Sequence, residues 1–245
     1  MKQPIQKLVT FLTKDLEETL PKVRILFRWV TAQSLDQLSI QQNEPAHDSV
    51  QYQFWRIKNL KGNYAQLFSL LCSYAHIPCI IISGRLKGSS YSIGESVEDA
   101  KHYGEWNAVL IDGSWRLLNV FWGTCTEGPS DDNSEKKLVY CCDNNYFLTD
   151  PDQFIYTHFP DEDRWQLRDR PISQEEFTNQ ALLKDRFFDM NLKLNGPHEC
   201  VVYHEKEVSF SFEMSEETQS NFWFLALLSS YDDGPRNDLK RYFEI

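Results

Sequence analysis

The apolar residues near the N-terminus recur at intervals of three and four positions, the spacing that lines up one face of a helix. They are Leu8, Phe11, Leu12 and Leu16, followed by Val23, Leu26, Phe27 and Val30. We therefore predict two helices between Ile5 and Leu38, the second opened by Pro21. A polar loop over 41–50 follows. The nearly continuous apolar segment from Tyr64 to Ala75 predicts a buried helix that Pro78 ends.

The pattern then changes to one typical of short strands. Cys79–Ile82 is an apolar run stopped by Gly84, which suits a central strand. Glu105–Ile111 and Ser114–Val120 flank the dipeptide Asp-Gly at 112–113, a common two-residue hairpin turn. The order helix, helix, strand, hairpin predicts an α+β domain with an antiparallel sheet.

The second half of the chain predicts an extension and a small β-rich module. Thr124–Lys137 is polar and acidic, with an acidic run at Asp131–Glu135, and predicts a loop. Beyond a linker at 196–197, the alternation in Glu199–Phe212 and the apolar run Phe222–Leu228 predict strands, whereas the remainder is short and polar. We place a core at 1–125, an extension packed on it at 126–195, and a β-rich module, truncated or pairing its edge elsewhere, at 196–245.

Composition narrows the function class. The chain has 41% hydrophobic residues, enough for a packed core, and 25 Lys+Arg against 36 Asp+Glu, a net charge of −11. Because so acidic a surface repels phosphate, nucleic-acid and membrane-surface roles are disfavoured and protein partners are favoured. No apolar run is long enough to span a bilayer, and the N-terminus lacks a secretory signal, so we expect a cytoplasmic protein.

The cysteines indicate neither a disulfide framework nor a metal site. They are Cys72, Cys79, Cys125, Cys141, Cys142 and Cys200. Cys72 and Cys79 lie in apolar segments, so we predict reduced, mostly buried thiols. No pair has the spacing of zinc ligands, so we expect no metal, and no cofactor either.

Three segments, in order and spacing, carry a resemblance. They are Lys58–Phe68 with Leu71-Cys72, Glu105–Val109, and Trp115–Gly123. They resemble, respectively, the nucleophile helix, the His-Ala-Trp-Asn-Ala-Val strand and the Trp-x-Leu-(Leu/Val)-Asp-x-x-Trp-Gly segment of the transglutaminase-like superfamily, and within it the kyphoscoliosis-peptidase and hillarin group. The resemblance covers most of the chain to about Leu194. It implies a transglutaminase-like, papain-like cysteine-enzyme core.

In this family a cysteine thiolate at a helix start attacks the substrate, a histidine moves protons and an aspartate orients the histidine. Three anchors fix the matching positions: they are Tyr64, Trp106 and Trp122. Counting from them, Lys61 stands where the cysteine belongs, Gly104 where the histidine belongs, and Asn119 where the aspartate belongs. An ammonium ion is not a nucleophile at neutral pH, and glycine has no side chain to carry a proton. The resemblance therefore implies a fold without the family's reactive groups.

Three other residues are candidates to replace the missing cysteine and histidine. His102 lies two residues before Gly104, as a relocated catalytic histidine or, more simply, a surface residue at a loop end. Cys72 is interpreted as a buried structural thiol and Cys125 as an exposed loop thiol. Trp106 and Trp122 are interpreted as core or cleft-wall residues, with lining of a retained peptide groove as the alternative.

The leading hypothesis is a non-catalytic scaffold or adaptor that binds protein partners. Family resemblance implies cytoskeleton-associated partners in the cytoplasm. The alternative is a working cysteine peptidase or transglutaminase that uses Cys125 or Cys72 with His102. A third hypothesis is a peptide-binding module that uses the vacated cleft through Lys61. The alternative for Lys61 is a solvated side chain at a helix start without a binding role. The candidate binding residues are Lys61, His102, Trp106, Asn119 and Trp122. The oligomeric state stays open.

Overall fold

The structure is a computed structural model that describes residues 4–40, 42–127, 138–140, 142–203, 207, 209–216, 227–231 and 240–244. Its internal contacts divide the chain into two compact units. Unit 1 comprises Met1–Ser83 and Glu105–Asp150, and unit 2 comprises Gly84–Gly104 and Pro151–Ile245. The boundaries at 125/126 and 195/196 were drawn from sequence patterns instead of contacts, and they stay predictions.

Unit 1 combines helices with an antiparallel sheet. Its helices are α1 (Ile5–Thr13), α2 (Thr19–Thr31), α3 (Val50–Lys58), α4 (Tyr64–Tyr74) and α5 (Val120–Thr124). Its strands are β1 (Cys79–Leu86), β2 (Tyr103–Ile111), β3 (Ser114–Leu118), β4 (Cys125–Glu127), β5 (Leu138–Tyr140) and β6 (Phe147–Thr149), of which β1 and β2 also contribute residues to unit 2. Helices beside antiparallel strands confirm the predicted α+β class.

The predicted helices need two corrections. The second helix begins at Thr19 rather than at Pro21. Proline is tolerated there because the first N–H groups of a helix have no intrahelical acceptor. Helix α3 was not predicted; its N-cap is Ser49, whose hydroxyl oxygen accepts a hydrogen bond from the Tyr52 backbone N–H at 3.1 Å.

The sheet of unit 1 has the strand order β6-β3-β2-β1. Strands β2 and β3 form the predicted hairpin, with Ile111 opposite Ser114 and Asn107 opposite Leu118. Both turn residues have positive φ, 49° at Asp112 and 78° at Gly113, as this two-residue turn requires. The return strand ends at Leu118, and the chain then turns into α5 instead of continuing to Val120.

The core of unit 1 lies where α1, α2, α3 and α4 meet the sheet. Its fully buried side chains include Phe27 of α2, Phe54 of α3, Phe68 and Leu71 of α4, and Leu118 of β3. Burying one such side chain stabilises the fold by about 1.5–3 kcal/mol, so this cluster is a main source of the stability of unit 1.

Unit 2 consists of short elements. Its helices are α6 (Pro151–Phe154), α7 (Gln174–Asn179) and α8 (Asp185–Asp189). Its strands are β7 (His158–Pro160), β8 (Lys193–Gly196), β9 (Val201–Val202), β10 (Ser211–Glu213), β11 (Leu227–Tyr231) and β12 (Lys240–Glu244). Helix α7 begins with a capping box in which Ser173 and Glu176 satisfy each other's backbone N–H groups.

Antiparallel pairing organises unit 2. The end of β1 pairs with β7, with Gly84 opposite Pro160. Towards the C-terminus β8 pairs with β10, and β12 lies between β11 and β9. Strand β12 corrects the expectation that the polar stretch after Leu228 holds no strand. Residues 222–226 of the predicted apolar run, and the acidic run Asp131–Glu135, lie outside the described residues.

Candidate functional site

The start of α4 is built by Asn63, in unit 1. Its side-chain oxygen accepts a hydrogen bond from the Gln66 backbone N–H at 2.9 Å and so caps the helix. Its side-chain nitrogen donates to Oε2 of Glu105 on β2 at 2.6 Å. A carboxylate is thereby held beside the helix N-terminus, where the helix dipole favours negative charge.

Lys61 precedes this cap by two residues, and its side chain lies against α3. The Nζ atom lies 4.5 Å from the centre of the Trp55 ring, which is within cation–π range. The Trp55 indole N–H donates to the Gln42 carbonyl at 3.3 Å. Arg56 Nη2 donates to the Lys61 carbonyl at 2.8 Å, which fixes the backbone as well. The lysine remains exposed, and its ammonium group is engaged with an aromatic face.

Asn119 is buried and acts as a helix cap. Its Oδ1 accepts a hydrogen bond from the Trp122 backbone N–H at 3.1 Å, at the start of α5. Its own backbone N–H donates to the Tyr146 carbonyl at 3.0 Å, and its carbonyl accepts from Gly123 at 3.0 Å. The acceptor that would orient an imidazole in the family pattern therefore holds the first turn of α5 here.

Gly104 belongs to unit 2, and its side-chain space is filled. A Cβ atom built on Gly104 would lie 2.3 Å from Cδ1 and 3.2 Å from Cγ of Leu86 on the neighbouring strand β1. Any side chain at this position requires Leu86 to move. Gly104, which we predict to match the family's histidine, thus offers no imidazole, and Leu86 fills the space that a side chain would need.

His102 also belongs to unit 2, and the expectation of a surface histidine is wrong. Its ring is fully buried in a single 3-10 turn, Ala100–His102. The ring packs edge-on to Tyr91 with centroids 5.7 Å apart, and Nε2 lies 3.4 Å from Oε1 of Glu95. Glu95 is held in turn by the Ser92 backbone N–H at 2.9 Å and by Lys101. Hydrogen bonding by Lys101 and Ser92 lowers the pKa of Glu95 to about 2.

The described cysteines differ in their thiol chemistry. A hydrogen bond with Cys72 lowers the pKa of Cys79, although burial opposes the change, whereas Cys72 and Cys200 lack this feature of an activated nucleophile. Cys72 is fully buried in α4, and a hydrogen bond with Cys79 together with burial raises its pKa well above the ordinary value. Burial likewise raises the pKa of Cys200. A raised pKa means less thiolate, the opposite of what a nucleophile needs. Cys125 begins strand β4 rather than lying in a loop, and its side chain is outside the described part.

The two tryptophans differ. Trp106 is fully buried in β2, which favours the core interpretation over a groove. Trp122 in α5 is half-buried and packs edge-on to Tyr146 with centroids 5.2 Å apart. Next to it, Phe121 is 45% exposed and contacts the ring of Tyr64, the first residue of α4, at 5.6 Å.

Lys61, Trp106, Asn119 and Trp122 belong to unit 1, whereas His102 and Gly104 belong to unit 2. Sequence reasoning singled out neither Trp55, which binds the Lys61 ammonium, nor the contact between Asn63 and Glu105. Asn63 carried a readable signal, because asparagine immediately before an apolar helix is a favoured N-cap. These groups can hold charges and form hydrogen bonds.

The part of the chain that the structure describes holds neither a candidate metal site nor a candidate membrane span. No group of three or more His, Cys, Asp or Glu side chains is arranged to hold a metal ion there. No described helix combines the length and apolar character needed to cross a membrane.

Comparison with known proteins identifies relatives. Residues 174–243 match the sequence model of the KY-like, immunoglobulin-like domain. The chain is 32% identical over 213 residues to the "Lim and transglutaminase domain protein ltd-1" of Caenorhabditis elegans, covering 84% of this chain and 29% of that protein. It is 34% identical over 194 residues to hillarin of Drosophila melanogaster, covering 77% and 23%.

A third relative is the kyphoscoliosis peptidase of Mus musculus, 27% identical over 203 residues, covering 82% of this chain and 30% of that protein. The chain thus spans less than a third of the length of each of these relatives.

Proposed function

We propose that the chain carries a transglutaminase-like core without working catalytic groups and acts as a scaffold for protein partners. The reason for proposing this core is that the chain belongs to the group that includes kyphoscoliosis peptidase, hillarin and ltd-1. The observation that carries this proposal is the Lys61 side chain. It stands at the position that matches the family's cysteine, and its ammonium group lies on Trp55.

Two further contacts support the same interpretation. The space at Gly104 is filled by Leu86, and the Asn119 side chain is used to cap α5. The residues at the three matching positions thus each take part in a structural contact. A site that has merely lost one reactive atom would leave the neighbouring groups in place, whereas here all three positions are committed to other contacts.

A cysteine enzyme with a rearranged dyad is the competing function. It requires a thiol and an imidazole within hydrogen-bond reach, in a place that substrate can enter. His102 is buried against Tyr91 and Glu95. Cys72 is buried, with a raised pKa. These surroundings favour structural roles for both residues.

The experiment is a turnover assay on the purified chain, with peptide substrates and with a glutamine donor plus a primary amine. Single Cys→Ser variants at all six cysteines are the matched panel. We expect no turnover above a heat-denatured control. Turnover that disappears in one variant of the panel would remove the non-catalytic function.

The family resemblance extends this proposal to the partner class and the location: cytoskeleton-associated proteins in the cytoplasm. A fluorescent fusion of the chain tests it in cultured cells after mild detergent extraction. We expect the fusion to be retained with the detergent-resistant cytoskeleton. Complete loss on extraction would contradict this part of the proposal and leave the non-catalytic role untouched.

A further inference from the structure

The loop between α3 and α4 holds an apolar residue in a conformation that suits glycine. Leu60 has φ +54° and is 94% exposed. Its backbone N–H donates to the Ile57 carbonyl at 3.1 Å, and the Lys61 N–H donates to the Arg56 carbonyl at 2.8 Å. These two bonds form a Schellman motif that ends α3, and Leu60 occupies the position where glycine is usually found.

Among the residues that the structure describes, nothing accounts for a leucine at this position. A left-handed conformation costs backbone free energy for any residue with a Cβ atom. The apolar side chain recovers none of that cost by burial, because almost all of it faces solvent. Asparagine or glycine would end the helix with less strain. A contact with another molecule is the kind of interaction that gives the leucine side chain a role.

The residues around Leu60 are basic. From Arg56 to Lys61 the sequence has three of the chain's 25 Lys+Arg and none of its 36 Asp+Glu. Lys58 and Lys61 are exposed, and among the described residues no carboxylate lies within ion-pair distance of Arg56, Lys58 or Lys61. The C-terminal dipole of α3 accounts for Arg56 and Lys58, which lie in its last turn. It does not account for Lys61 or for the leucine.

We propose that this loop, Arg56–Lys61, is a docking surface for an acidic peptide segment of a partner protein. An apolar side chain of the segment packs on Leu60, and its carboxylates pair with Lys58 and Lys61. The partner is acidic because the surface is locally basic in a chain whose net charge is −11. The inference rests on the proposed binding function and names the partner chemistry of the same region.

The test is selection of a phage-displayed library of random 12-residue peptides on the full chain. An enriched peptide is then synthesised with a fluorescent label, and its affinity is measured by anisotropy. We expect enriched peptides that combine several Asp or Glu with at least one apolar residue. Their affinity should fall several-fold between 0.05 and 0.5 M NaCl, because exposed charges are screened.

Three variants locate the contact, and a fourth serves as control. Leu60→Gly and Lys61→Glu should each weaken binding about tenfold or more, as expected for residues central to an interface. Leu60→Met keeps the apolar surface and should bind within about threefold of the wild type. Lys14→Glu makes the same charge change at the end of α1 and should leave affinity unchanged.

Leu60→Gly removes the strained residue, so a loss of folding cannot explain its loss of binding. Selection of peptides that are not acidic, or equal affinity in Leu60→Gly and wild type, would overturn the docking surface. Such a failure is distinct from failure of the proposed function, which depends on the absence of thiol-dependent turnover and is decided by the cysteine panel.

Discussion

The Nζ atom of Lys61 lies 4.5 Å from the centre of the Trp55 ring. Lys61, which we predict to match the family's cysteine, thereby contacts Trp55 of α3. Trp55 continues into a row of stacked rings, with Tyr52 at 6.1 Å and His47 beyond it at 4.4 Å from Tyr52. Lys61 therefore lies at one end of a row of aromatic rings.

Removing this cation should have a small effect on stability. Lys61→Met should lower the free energy of unfolding by about 0.5–1 kcal/mol, the size of an exposed cation–π contact. Lys61→Arg keeps a cation that stacks on the ring and should lose less. Urea denaturation of the three chains measures both values. A loss of several kcal/mol in Lys61→Met would mean that the ammonium plugs a buried cleft instead.

Two leucines with the same backbone conformation should respond oppositely to glycine. Leu60 and Leu148 have φ of 54° and 53°, but Leu148 packs against the core of unit 1. Leu60→Gly should raise the free energy of unfolding by about 0.5–1 kcal/mol, because strain is relieved and no burial is lost. Leu148→Gly should lower it, because lost burial outweighs the relief. Thermal unfolding of both variants measures the signs, and two changes of the same sign would contradict this account.

The cap at the start of α5 predicts a moderate stability loss. Asn119→Ala removes the acceptor of the Trp122 N–H and leaves that group without its cap, which should cost about 1–2 kcal/mol. Asn119→Ser retains a side-chain oxygen and should lose less. Urea denaturation compares the two. Equal losses would show that the capping oxygen is not what Asn119 contributes.

Lys87 in unit 2 is a buried ammonium group at the C-terminal end of α7. Its Nζ donates to the carbonyls of Phe177 at 2.5 Å, Gln180 at 3.2 Å and Thr178 at 3.4 Å. Burial lowers the pKa of Lys87 from 10.5 to about 8, and the nearby Cys200 partly opposes the change. Since the pKa is lowered on folding, the unfolded chain binds more protons between pH 8 and 10.5.

Stability from Lys87 should therefore rise with pH across that window and be lost as the pH falls through about 8. A gap of 2.5 between the folded and ordinary pKa corresponds to about 3 kcal/mol. Cys200 and Tyr91 have raised pKa values and act in the opposite direction at alkaline pH. The measurement is thus the difference in unfolding free energy between wild type and Lys87→Met, which share both residues. A difference that stays flat from pH 7.5 to 10 would contradict a lowered pKa.

Local signals in the sequence predicted the framework around α4 well. The apolar run at Tyr64–Tyr74 and the Asp112-Gly113 turn are signals that depend on neighbouring residues alone, and both elements form as expected. Helix α3 was not predicted because two buried glutamines, Gln51 and Gln53, interrupt its apolar pattern. Helix α5 was not predicted because Val-Phe-Trp is typical of a strand. The segment is helical with its first turn capped by Asn119.

The site shows where sequence reasoning ends. Lys61, Gly104 and Asn119 could be placed by their spacing from nearby aromatic residues, but their contacts could not. The position of the Lys61 ammonium depends on the Schellman motif at Leu60. The burial of His102 depends on Tyr91 and Glu95, which belong to none of the sequence motifs. Such contacts follow from packing between elements, which periodicity does not encode.

The most direct test of the central claim needs no substrate: the rate at which iodoacetamide alkylates each cysteine of the native chain at pH 6, followed by mass spectrometry. Ordinary thiols are protonated at this pH, so only an activated thiolate reacts quickly. We expect that no cysteine reacts faster than a free thiol such as glutathione, and that Cys72 and Cys200 react most slowly because they are buried. One cysteine that reacts orders of magnitude faster, and slows in His102→Ala, would contradict it.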